Sequence, residues 1–427
     1  MNYQEALQYI HAVSWRGSKP GLSRISELLS LLCDPHKKTP CLHVTGTNGK
    51  GSVCAMLDSV LRASGYNTGL YTSPYVRRFN ERVMLNGTPV SDDELCALVS
   101  QIKPIAEKMT DKPTEFELIT ALAFLSFSNH GCDIAVVEVG MGGEFDATNV
   151  IESPVASVIV SVALDHTREL GTSIEQIATT KSGIIKYGRP CVCGCDEVAA
   201  NVVAEKALRE DSKLFLPFKP ENALFSAEGC VMDCGDYKNI TVPLLGSYQA
   251  HNLSVVLRTV DVLRGEGYKI SDEALRNGLN NVRWPARFEL LSKAPDVIFD
   301  GAHNPHGMSA AAKSFADIFP DKKLVLVTGM LADKDCSGAV KVIAPLASRV
   351  FTVAPPNDRA LAPEKLAELY RKHGVPATAC GDVSDALKQA VGFAESTGAM
   401  VAGLGSLYLY APFYDAVETL LKNSEKS

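Results

Sequence analysis

The sequence predicts an α/β protein built from two doubly wound domains, of which the first is the larger. Its 427 residues exceed what one hydrophobic core comfortably holds, which favours two domains. From Cys41 onwards, short apolar runs typical of buried parallel strands alternate with segments of helical periodicity. The alternation is interrupted at Asn281–Leu291 and then restarts. We therefore expect one domain at residues 1–285 and another at residues 286–427.

The elements of the first domain follow from hydrophobic periodicity and from turn residues. Strands are predicted at Cys41–Val44, Asn67–Tyr71, Asp133–Val139 and Val155–Ala163. Helices are predicted at Tyr3–His11, Ser23–Leu32, Val53–Leu61, from Ser91, from Thr114 to about Phe127, at Ser173–Ile184, and after Gly246 to about Arg264. Residues 213–245 predict small β pieces, and the charged stretch Arg77–Arg82 predicts an exposed loop.

The second domain repeats the strand and helix alternation on a smaller scale. Its predicted strands are Val297–Phe299, Lys323–Thr328, Val350–Ala354 and Met400–Leu404. Helices are predicted between them, for example at Pro363–His373 and Val383–Ala394. This order of elements is typical of a Rossmann-like domain.

Composition excludes several classes of protein. The hydrophobic share of 46% and the charged share of 21% are ordinary for a soluble globular chain. A net charge of -7 argues against a nucleic-acid partner held through phosphate contacts. We expect no signal peptide at Met1–Glu5, and no apolar run is long enough to span a membrane, so no membrane partner is predicted. The sequence shows neither coiled-coil heptads nor a large apolar surface helix, so we expect a monomer.

The 12 cysteines are scattered and mostly lie within apolar runs. This distribution favours reduced, buried thiols and a cytoplasmic location over a disulfide framework. The run Cys191–Cys195 places its cysteines at every second position, without the Cys-x-x-Cys pairs of zinc sites. We interpret these cysteines as small strand residues.

The stretch Thr45–Ser52 reads Thr-Gly-Thr-Asn-Gly-Lys-Gly-Ser between a predicted strand and a predicted helix. Such a turn directs backbone N–H groups and the positive end of a helix at one point, which suits a phosphate chain. Lys50 adds a mobile cation, and the Ser52 hydroxyl can bind a magnesium ion on the phosphates. The loop is shorter than the usual phosphate-loop pattern, and an unliganded tight turn is the alternative. Three glycines with a Lys and a Ser favour a nucleotide site in an ATPase domain.

Further polar residues follow or end other predicted strands of the first domain. Ser73, Glu138 and His166 join Ser52 at or near the carboxyl ends of strands, where ligands of parallel α/β sheets bind. A carboxylate such as that of Glu138 in a buried strand needs a partner or a metal ion. A hydrogen-bonded loop histidine remains an alternative for His166, and a solvated lysine an alternative for Lys181.

With these motifs in view, the chain resembles the folylpolyglutamate synthase/dihydrofolate synthase family of the Mur ligase superfamily. The resemblance rests on the short phosphate loop and on four further segments. These segments are Glu138–Gly143 with Asp146–Asn149, Leu164–Thr167 with Lys181–Lys186, Arg287–Phe288, and Asp300–Pro305. Together they run nearly from end to end of the chain, and they are far more specific than a glycine-rich loop alone.

The resemblance implies an ATP-dependent ligase. ATP would phosphorylate a carboxylate of dihydropteroate or of a reduced folate, and the amine of L-glutamate would then displace the phosphate. Ser52, Ser73 and Glu138 would hold one Mg²⁺ ion, and His166 would bind a second. Lys181 matches the position at which the family carries a carbamylated lysine. Such a modification removes a positive charge that would otherwise face two cations.

The resemblance also assigns residues to each ligand. Catalytic roles fall to Lys50, Lys181 and His303. ATP contacts fall to Gly46, Thr47, Asn48, Gly49, Lys50, Gly51, Ser52, Asn252, Arg287 and Asp300. His303 and Ser406 resemble positions tied to the incoming glutamate, and the pterin contacts fall to Leu22, Thr114, Phe116, Phe145 and Asp146. Plain core packing is the alternative for Leu22 and Phe116.

Some positions depart from the family pattern, namely Tyr75, Glu115, Glu144 and Arg168–Glu169. They affect the expected substrate range rather than the nucleotide chemistry, and the choice between dihydropteroate and folylglutamates stays open.

Two other classes of protein fit the sequence less well. A peptidoglycan-precursor Mur ligase would need a nucleotide-sugar domain before the phosphate loop, for which we expect residues 1–44 to be too short. A phosphate-loop switch protein would leave Glu138, His166 and Lys181 unexplained.

Overall fold

The computed structural model describes residues 1–12 and 21–424. Within that part of the chain the α-helices are α1 Tyr3–His11, α2 Ser23–Leu31, α3 Lys50–Ala63, α4 Asp92–Ala106, α5 Glu115–Asn129, α6 Thr167–Leu170, α7 Ile174–Ser182, α8 Glu197–Arg209, α9 Gln249–Gly265, α10 Asp272–Asn280, α11 Pro305–Ile318, α12 Cys336–Ile343, α13 Pro363–Lys372, α14 Val383–Thr397 and α15 Tyr410–Ser424. Short 3₁₀ helices lie at Pro35–Lys37, Phe79–Arg82, Ala147–Val150, Ala344–Leu346 and Leu407–Leu409.

The strands of the same described residues fall into three sheets. Their bounds are β1 Cys41–Thr45, β2 Thr68–Tyr71, β3 Val83–Leu85, β4 Thr88–Pro89, β5 Ile134–Glu138, β6 Ala156–Ile159, β7 Cys191–Cys193, β8 Leu214–Phe215, β9 Pro220–Ser226, β10 Gly229–Cys234, β11 Tyr237–Val242, β12 Glu289–Lys293, β13 Asp296–Phe299, β14 Leu324–Thr328, β15 Ala347–Thr352, β16 Ala377–Ala379 and β17 Met400–Leu404.

The large sheet has the strand order β4-β3-β2-β5-β1-β6-β7-β8. At one edge of this sheet, β3 pairs antiparallel with both β2 and β4, and the other neighbouring strands described in the sheet pair in parallel. β1 lies between β5 and β6, and every residue of these three strands is buried. A strand covered by helices on both faces needs apolar residues at nearly every position, as these sequences have. The carboxyl ends of β1, β2, β5 and β6 consequently share one edge.

The smaller sheet of the C-terminal region has the order β12-β13-β17-β14-β15-β16. Its strands pair in parallel apart from β12 and β13. A separate sheet of three strands, among the residues described, follows the order β11-β10-β9. The predicted fold class, two α/β domains with doubly wound sheets, is confirmed.

The chain divides into two compact units whose boundaries are discontinuous in sequence. The first contains residues 1–220, 234–240 and 251–282, and the second contains residues 221–233, 241–250 and 283–427. Every predicted residue of the phosphate loop and of the metal site belongs to the first unit, whereas Arg287, Asp300, His303 and Ser406 belong to the second. In the part of the chain that the structure describes, no helix combines the length and hydrophobicity needed to cross a membrane.

Candidate active site

The phosphate loop joins β1 to α3, as the sequence predicts, but the helix begins earlier, at Lys50. Gly49 is the residue before the first helical turn and has a φ of +84°, a conformation that suits glycine. The N–H groups of Lys50, Gly51 and Ser52 lie in that first turn, where a helix offers no internal acceptors. Lys50 folds back over the loop, and its Nζ donates to the carbonyl oxygen of Gly46 at 2.9 Å. The loop thus presents the donors that a phosphate chain requires.

Ser161, which follows β6, holds the outer part of the phosphate loop. Its carbonyl oxygen accepts from the Thr47 N–H at 2.8 Å. Its hydroxyl accepts from the Asn48 N–H at 3.1 Å and donates to the Asn48 carbonyl oxygen at 2.9 Å. The Thr47 hydroxyl lies 2.9 Å from the N–H of Ala163, from which it accepts. The backbone N–H groups of Thr47 and Asn48 are therefore occupied within the protein, and no motif of the sequence points to Ser161.

Three of the predicted magnesium ligands lie on neighbouring parts of the first unit. Ser52 is 1% exposed, and its hydroxyl oxygen has no hydrogen-bond partner among the described residues. Glu138 ends β5 and is buried, and its Oε2 accepts from the Ser73 N–H at 3.1 Å. A buried hydroxyl that lacks a partner and a buried carboxylate both suit a hard cation, which prefers oxygen ligands. The residue types and their environment therefore fit Mg²⁺.

His166 and Lys181 occupy contrasting environments. His166 is exposed to solvent in part, has a φ of 49° and immediately precedes α6. Lys181 lies on α7 and is only 4% exposed, so the solvated-lysine alternative is wrong. Burial, with the Lys50 cation as the next cause, lowers the pKa of Lys181 to about 7. Within the described ranges, no group of three or more His, Cys, Asp and Glu side chains is arranged to hold a metal ion.

Asp146 organises the loop that follows Glu138. Its Oδ2 accepts from the Met141 N–H at 2.9 Å, and its Oδ1 accepts from both the N–H and the hydroxyl of Thr148. Asp146 is buried, and desolvation raises the pKa of its carboxyl group. Three donors on one carboxylate explain how a charged group is accommodated inside the protein.

The predicted pterin contacts are divided between buried and exposed positions. Phe116 is half-buried on α5, packs against the core and lies over Gly140, where a Cβ atom would collide with its ring. Leu22 also packs partly against this core, so the core-packing alternative holds for part of both side chains. Thr114 is the N-cap of α5 and accepts from the Glu117 N–H at 3.2 Å. Phe145 is 56% exposed.

A buried ion pair that no motif of the sequence indicates connects two of these segments. Arg24 donates from Nε to Glu117 Oε2 at 3.1 Å, and its Nη2 lies 3.1 Å from Glu117 Oε1. Glu117 Oε2 also accepts from the Thr114 N–H at 2.7 Å. Both side chains of the pair are almost completely buried, with exposures of 4% and 5%. The start of α2, next to Leu22, is thereby attached to the start of α5, next to Phe116.

Asn252 on α9 lies beside the phosphate loop. It is buried, and its amide oxygen lies so close to Gly49 that a Cβ atom there would overlap it. The structure therefore brings this predicted ATP contact to the loop. The signal for this proximity in the sequence was only the family resemblance, since Asn252 is remote from the loop in sequence.

In the second unit, Arg287 and Asp300 are held by one hydrogen-bonded turn. Asp300 is buried and accepts from the Tyr248 hydroxyl, the Phe288 N–H and the Ala302 N–H, each at 2.8 Å. The Ala286 and Phe288 residues that flank Arg287 both have positive φ, at 61° and 47°. Such values cost energy outside glycine and occur at functional turns.

His303 and Ser406 follow the adjacent parallel strands β13 and β17 of the second unit. The Gly405 N–H donates to the Ala302 carbonyl oxygen at 2.9 Å, which ties the two strand ends together. His303 Nδ1 lies 2.9 Å from the Gly301 carbonyl oxygen, and the Ser406 hydroxyl accepts from the Tyr408 N–H at 3.3 Å. These two predicted glutamate contacts are therefore neighbours at one sheet edge.

Comparison with known proteins gives a consistent result. Residues 44–260 match the model of the Mur ligase middle domain, and residues 286–407 match that of the Mur ligase glutamate ligase domain. The dihydrofolate synthase/folylpolyglutamate synthase of Bacillus subtilis is 38% identical, with 82% of this chain and 84% of that protein covered. The folylpolyglutamate synthase of Lacticaseibacillus casei is 37% identical, with 85% and 88% covered.

Solved structures agree with these sequence matches. The Mycobacterium tuberculosis folylpolyglutamate synthase complexed with ADP and AMPPCP has a TM-score of 0.90 and 31% identity, with 98% of this chain and 99% of that chain covered. The Escherichia coli FolC in complex with DHPP and ADP has a TM-score of 0.86 and 27% identity, with 100% and 99% covered. The chain belongs to the folylpolyglutamate synthase/dihydrofolate synthase family of Mur ligases.

Proposed function

We propose that this chain is an ATP-dependent carbon–nitrogen ligase that adds L-glutamate to dihydropteroate, to reduced folates, or to both. The substrate carboxylate takes the γ-phosphoryl group of ATP to form an acyl phosphate, and ADP leaves. The amine of glutamate then attacks the carbonyl carbon and loses a proton, and phosphate leaves. The observation that carries this proposal is that Ser52 of the phosphate loop and Glu138 are both buried in a Mur ligase fold, and that the Ser52 hydroxyl has no hydrogen-bond partner among the described residues. A nucleotide site that also has metal-binding oxygens suits phosphoryl transfer, which depends on positioning and charge neutralisation.

The phosphate loop divides into two functional parts. The N–H groups of Lys50, Gly51 and Ser52 bind phosphate oxygens, and the Lys50 ammonium leaves the Gly46 carbonyl to neutralise them. Thr47 and Asn48 act on the nucleotide through the shape of the loop, because Ser161 already accepts from their N–H groups. Gly46 and Gly49 allow this close packing. Asn252, Arg287 and Asp300 complete the contacts to ATP.

We infer two magnesium sites. Ser52, Ser73 and Glu138 would hold one, and His166 would hold the second together with a carbamylated Lys181. Bound Mg²⁺ neutralises the charge of the triphosphate and of the carboxylate that approaches it. Lys181 is suited to carbamylation because its burial lowers its pKa to about 7, which leaves much of the amine neutral at physiological pH. That nitrogen attacks the carbon of CO₂, loses a proton and becomes part of a carbamate anion.

The organic substrates bind to the remaining predicted residues. Leu22, Thr114, Phe116, Phe145 and Asp146 contact the pterin end, where Phe116 supplies a flat apolar surface and Asp146 fixes the loop. His303 and Ser406 bind L-glutamate, for which adjacent strand ends offer a suitable site. We expect a cytoplasmic monomer with small-molecule substrates, no nucleic-acid partner and no membrane partner.

The test is a product assay in which dihydropteroate and a reduced folate are offered separately, each with ATP, Mg²⁺ and L-glutamate. We expect formation of an amide product and of ADP that depends on both the pterin substrate and glutamate. Glu138→Gln is the control, and we expect it to fold normally but to lose ligation. ATP turnover that is indifferent to both substrates would contradict the proposal. Normal ligation by folded Glu138→Gln would contradict the metal assignment.

A further inference from the structure

A buried histidine in the centre of the large sheet reaches the loop that carries Asp146. His43 is the middle residue of β1, where it pairs in register with Val137 of β5 and Ser157 of β6. Its side chain is fully buried, and its Nε2 lies 2.8 Å from the Thr148 hydroxyl. Its Nδ1 has no hydrogen-bond partner among the residues that the structure describes. Burying an imidazole ring in the interior of a sheet costs free energy unless its nitrogen atoms form hydrogen bonds. The position of His43 therefore needs an explanation.

The hydrogen bonds around Thr148 define the protonation state of His43. The Thr148 hydroxyl donates its single proton to Asp146 Oδ1, at 2.6 Å. Having used that proton, the hydroxyl can only accept from His43. His43 therefore carries a proton on Nε2. A second proton on the buried Nδ1 would leave a charge without a partner among the described residues, so the ring is neutral. Burial lowers the pKa of His43 to about 3, in agreement with a neutral ring.

The chain of hydrogen bonds continues beyond Asp146. Its other oxygen, Oδ2, accepts from the Met141 N–H at 2.9 Å, and Asp146 also caps the 3₁₀ helix that begins at Ala147. The path His43–Thr148–Asp146–Met141 thus leads from the centre of the sheet to the loop of residues 140–146. That loop follows Glu138 and lies against Phe116, whose ring contacts Gly140.

We propose that His43 is a positioning residue for the pterin site: by donating from Nε2 it commits the Thr148 hydroxyl to Asp146, which holds the loop of residues 140–146 in its binding conformation. This inference rests on the proposed function only where it names the pterin substrate. The hydrogen-bond path itself is a property of the free protein. Without the His43 donor, the Thr148 hydroxyl can rotate, and Asp146 loses a donor that is fixed in direction.

Two substitutions of His43 separate the donor from the volume it fills. His43→Leu removes the donor and keeps an apolar side chain of similar size, whereas the side-chain N–H of His43→Gln can reach about the same place as Nε2. We expect His43→Leu to weaken dihydropteroate binding about tenfold, as loss of one hydrogen bond predicts. We expect His43→Gln to recover most of that affinity, and the KM for ATP to change little in either variant. Isothermal titration calorimetry and steady-state kinetics measure these quantities.

The chain offers a matched control in His36. This histidine is also buried, packs against Phe124 with ring centroids 6.0 Å apart, and has a buried Nδ1 without a partner in the described structure. It lies in the 3₁₀ helix Pro35–Lys37, and no hydrogen bond of the path above includes it. His36→Leu should leave dihydropteroate affinity unchanged. A loss of affinity as large as that of His43→Leu would show a general packing effect and would overturn the proposal.

Two measurements on the protein without ligands decide the inference independently of the proposed activity. ¹⁵N NMR of the histidine side chains should show His43 protonated on Nε2 and not on Nδ1. Hydrogen exchange at the Met141 N–H should be faster in His43→Leu and in Thr148→Val than in wild type, and unchanged in His36→Leu. Protonation of Nδ1, or unchanged exchange in both variants, would overturn the inference. If His43→Leu does not fold, Thr148→Val removes the same link from its other side. A protein that shows these signatures but neither binds nor ligates dihydropteroate would refute the proposed function alone.

Discussion

The amide oxygen of Asn252 lies within the space that a Cβ atom on Gly49 would occupy. This contact joins α9 to the phosphate loop, two parts of the first unit that are far apart in sequence. Gly49 also has a φ of +84°, so two independent constraints exclude a side chain at this position.

Gly49→Ala should therefore abolish most nucleotide binding. The left-handed conformation costs an alanine about 1–2 kcal/mol, and the collision with Asn252 displaces the loop further. We expect affinity for an ATP analogue to fall about 100-fold or more, measured by calorimetry. Gly65→Ala is the control, because Gly65 has a similar φ of +87° but no heavy atom of the described residues lies within 4 Å of the point where its Cβ atom would stand. It should lower stability by about the same 1–2 kcal/mol and leave nucleotide affinity unchanged. An equal loss of affinity in both variants would contradict the steric explanation.

Ser161→Ala should weaken ATP binding through the shape of the phosphate loop. The variant loses both hydrogen bonds between the Ser161 hydroxyl and the Asn48 backbone, and each contributes about 1 kcal/mol. We expect the KM for ATP to rise about tenfold or more, with a smaller effect on the KM for glutamate. Ser157→Ala is a suitable comparison, since the Ser157 hydroxyl donates to Ile184 instead. An unchanged KM for ATP in Ser161→Ala would show that the remaining loop contacts suffice.

Removing Arg24 alone should lower the unfolding free energy more than neutralising Arg24 and Glu117 together. Arg24→Met leaves the Glu117 carboxylate buried without its cation, which costs about 3–5 kcal/mol in unfolding free energy. The double variant Arg24→Met/Glu117→Gln should recover most of this loss, because the glutamine oxygen can still accept from the Thr114 N–H. Urea unfolding measures the difference. Arg209→Met, which breaks an ion pair with both side chains 72% exposed, should have no measurable effect. Failure of the double variant to recover stability would refute the charge argument.

Acid should destabilise the protein partly through His43. The pKa of His43 in the folded protein is about 3, below the ordinary value of 6.5. Between these two pH values the unfolded chain therefore binds a proton at His43 and the folded chain does not. The stabilising contribution is complete above pH 6.5 and is lost as the pH falls from 6.5 towards 3. This one group adds at most about 1.4 kcal/mol per pH unit to the slope. Unfolding free energies measured across that range should show a shallower slope in His43→Leu. A wild-type slope in His43→Leu would contradict this prediction.

Lys181→Ala should lose activity by at least the roughly 100-fold that removal of a metal-supporting group can cause. If Lys181 acts as a carbamate, short carboxylates such as acetate should restore part of that activity. In wild type, ¹³C NMR after equilibration with labelled bicarbonate should show a carbamate signal that Lys181→Ala lacks. Lys186→Ala, in the same sequence motif, should retain the signal and show no dependence on acetate. An active wild-type sample without a carbamate signal would remove this assignment.

The fold is largely predictable because its local signals agree with one another. The sequence predicts α1 at its observed bounds, and it predicts β17 from Met400 to Leu404 as found. Ser91 and Thr114 are predicted helix starts, and both side chains cap their helices. The near-continuous apolar run Asp133–Val139 indicates a strand covered on both faces, and the observed strand within it is Ile134–Glu138. That signal depends on the local sequence alone.

Other features depend on tertiary contacts that local patterns do not encode. The predicted strand Val155–Ala163 is too long, since β6 ends at Ile159 and the next residues turn over the phosphate loop. Apolar residues there reflect burial against the loop, which periodicity cannot distinguish from a strand. The predicted exposed loop Arg77–Arg82 is wrong for Phe79 and Asn80, which are buried in a 3₁₀ helix. Polar Asn80 is buried because its side chain bonds to Tyr3, Val90 and Asp92.

The residues of the candidate site also fall into those that local sequence reveals and those that only tertiary contacts reveal. Glycines, Lys50 and the carboxylate of Glu138 are identifiable from sequence because their chemistry is unusual for their local surroundings. Ser161, Arg24 and Glu117 are not, because a serine after a strand and charged residues in the first turn of a helix are ordinary in sequence. Only the three-dimensional contacts show that these residues hold the loop and the helix starts in place.

The turn around Arg287 has a consequence for how the second unit meets a ligand. The Gly301 N–H donates to the Ala286 carbonyl oxygen at 3.0 Å, and a Cβ atom on Gly301 would lie 2.7 Å from Arg287 Nη1. The Asp300 carboxylate also accepts from the Phe288 N–H, so hydrogen bonds join the backbone on both sides of Arg287 to the segment that carries Asp300. These hydrogen bonds hold the backbone around Arg287 and the Asp300 carboxylate together before any ligand binds. We therefore expect a ligand that carries an anionic group and a hydroxyl group to contact Arg287 and Asp300 together, as the proposed ATP contacts require.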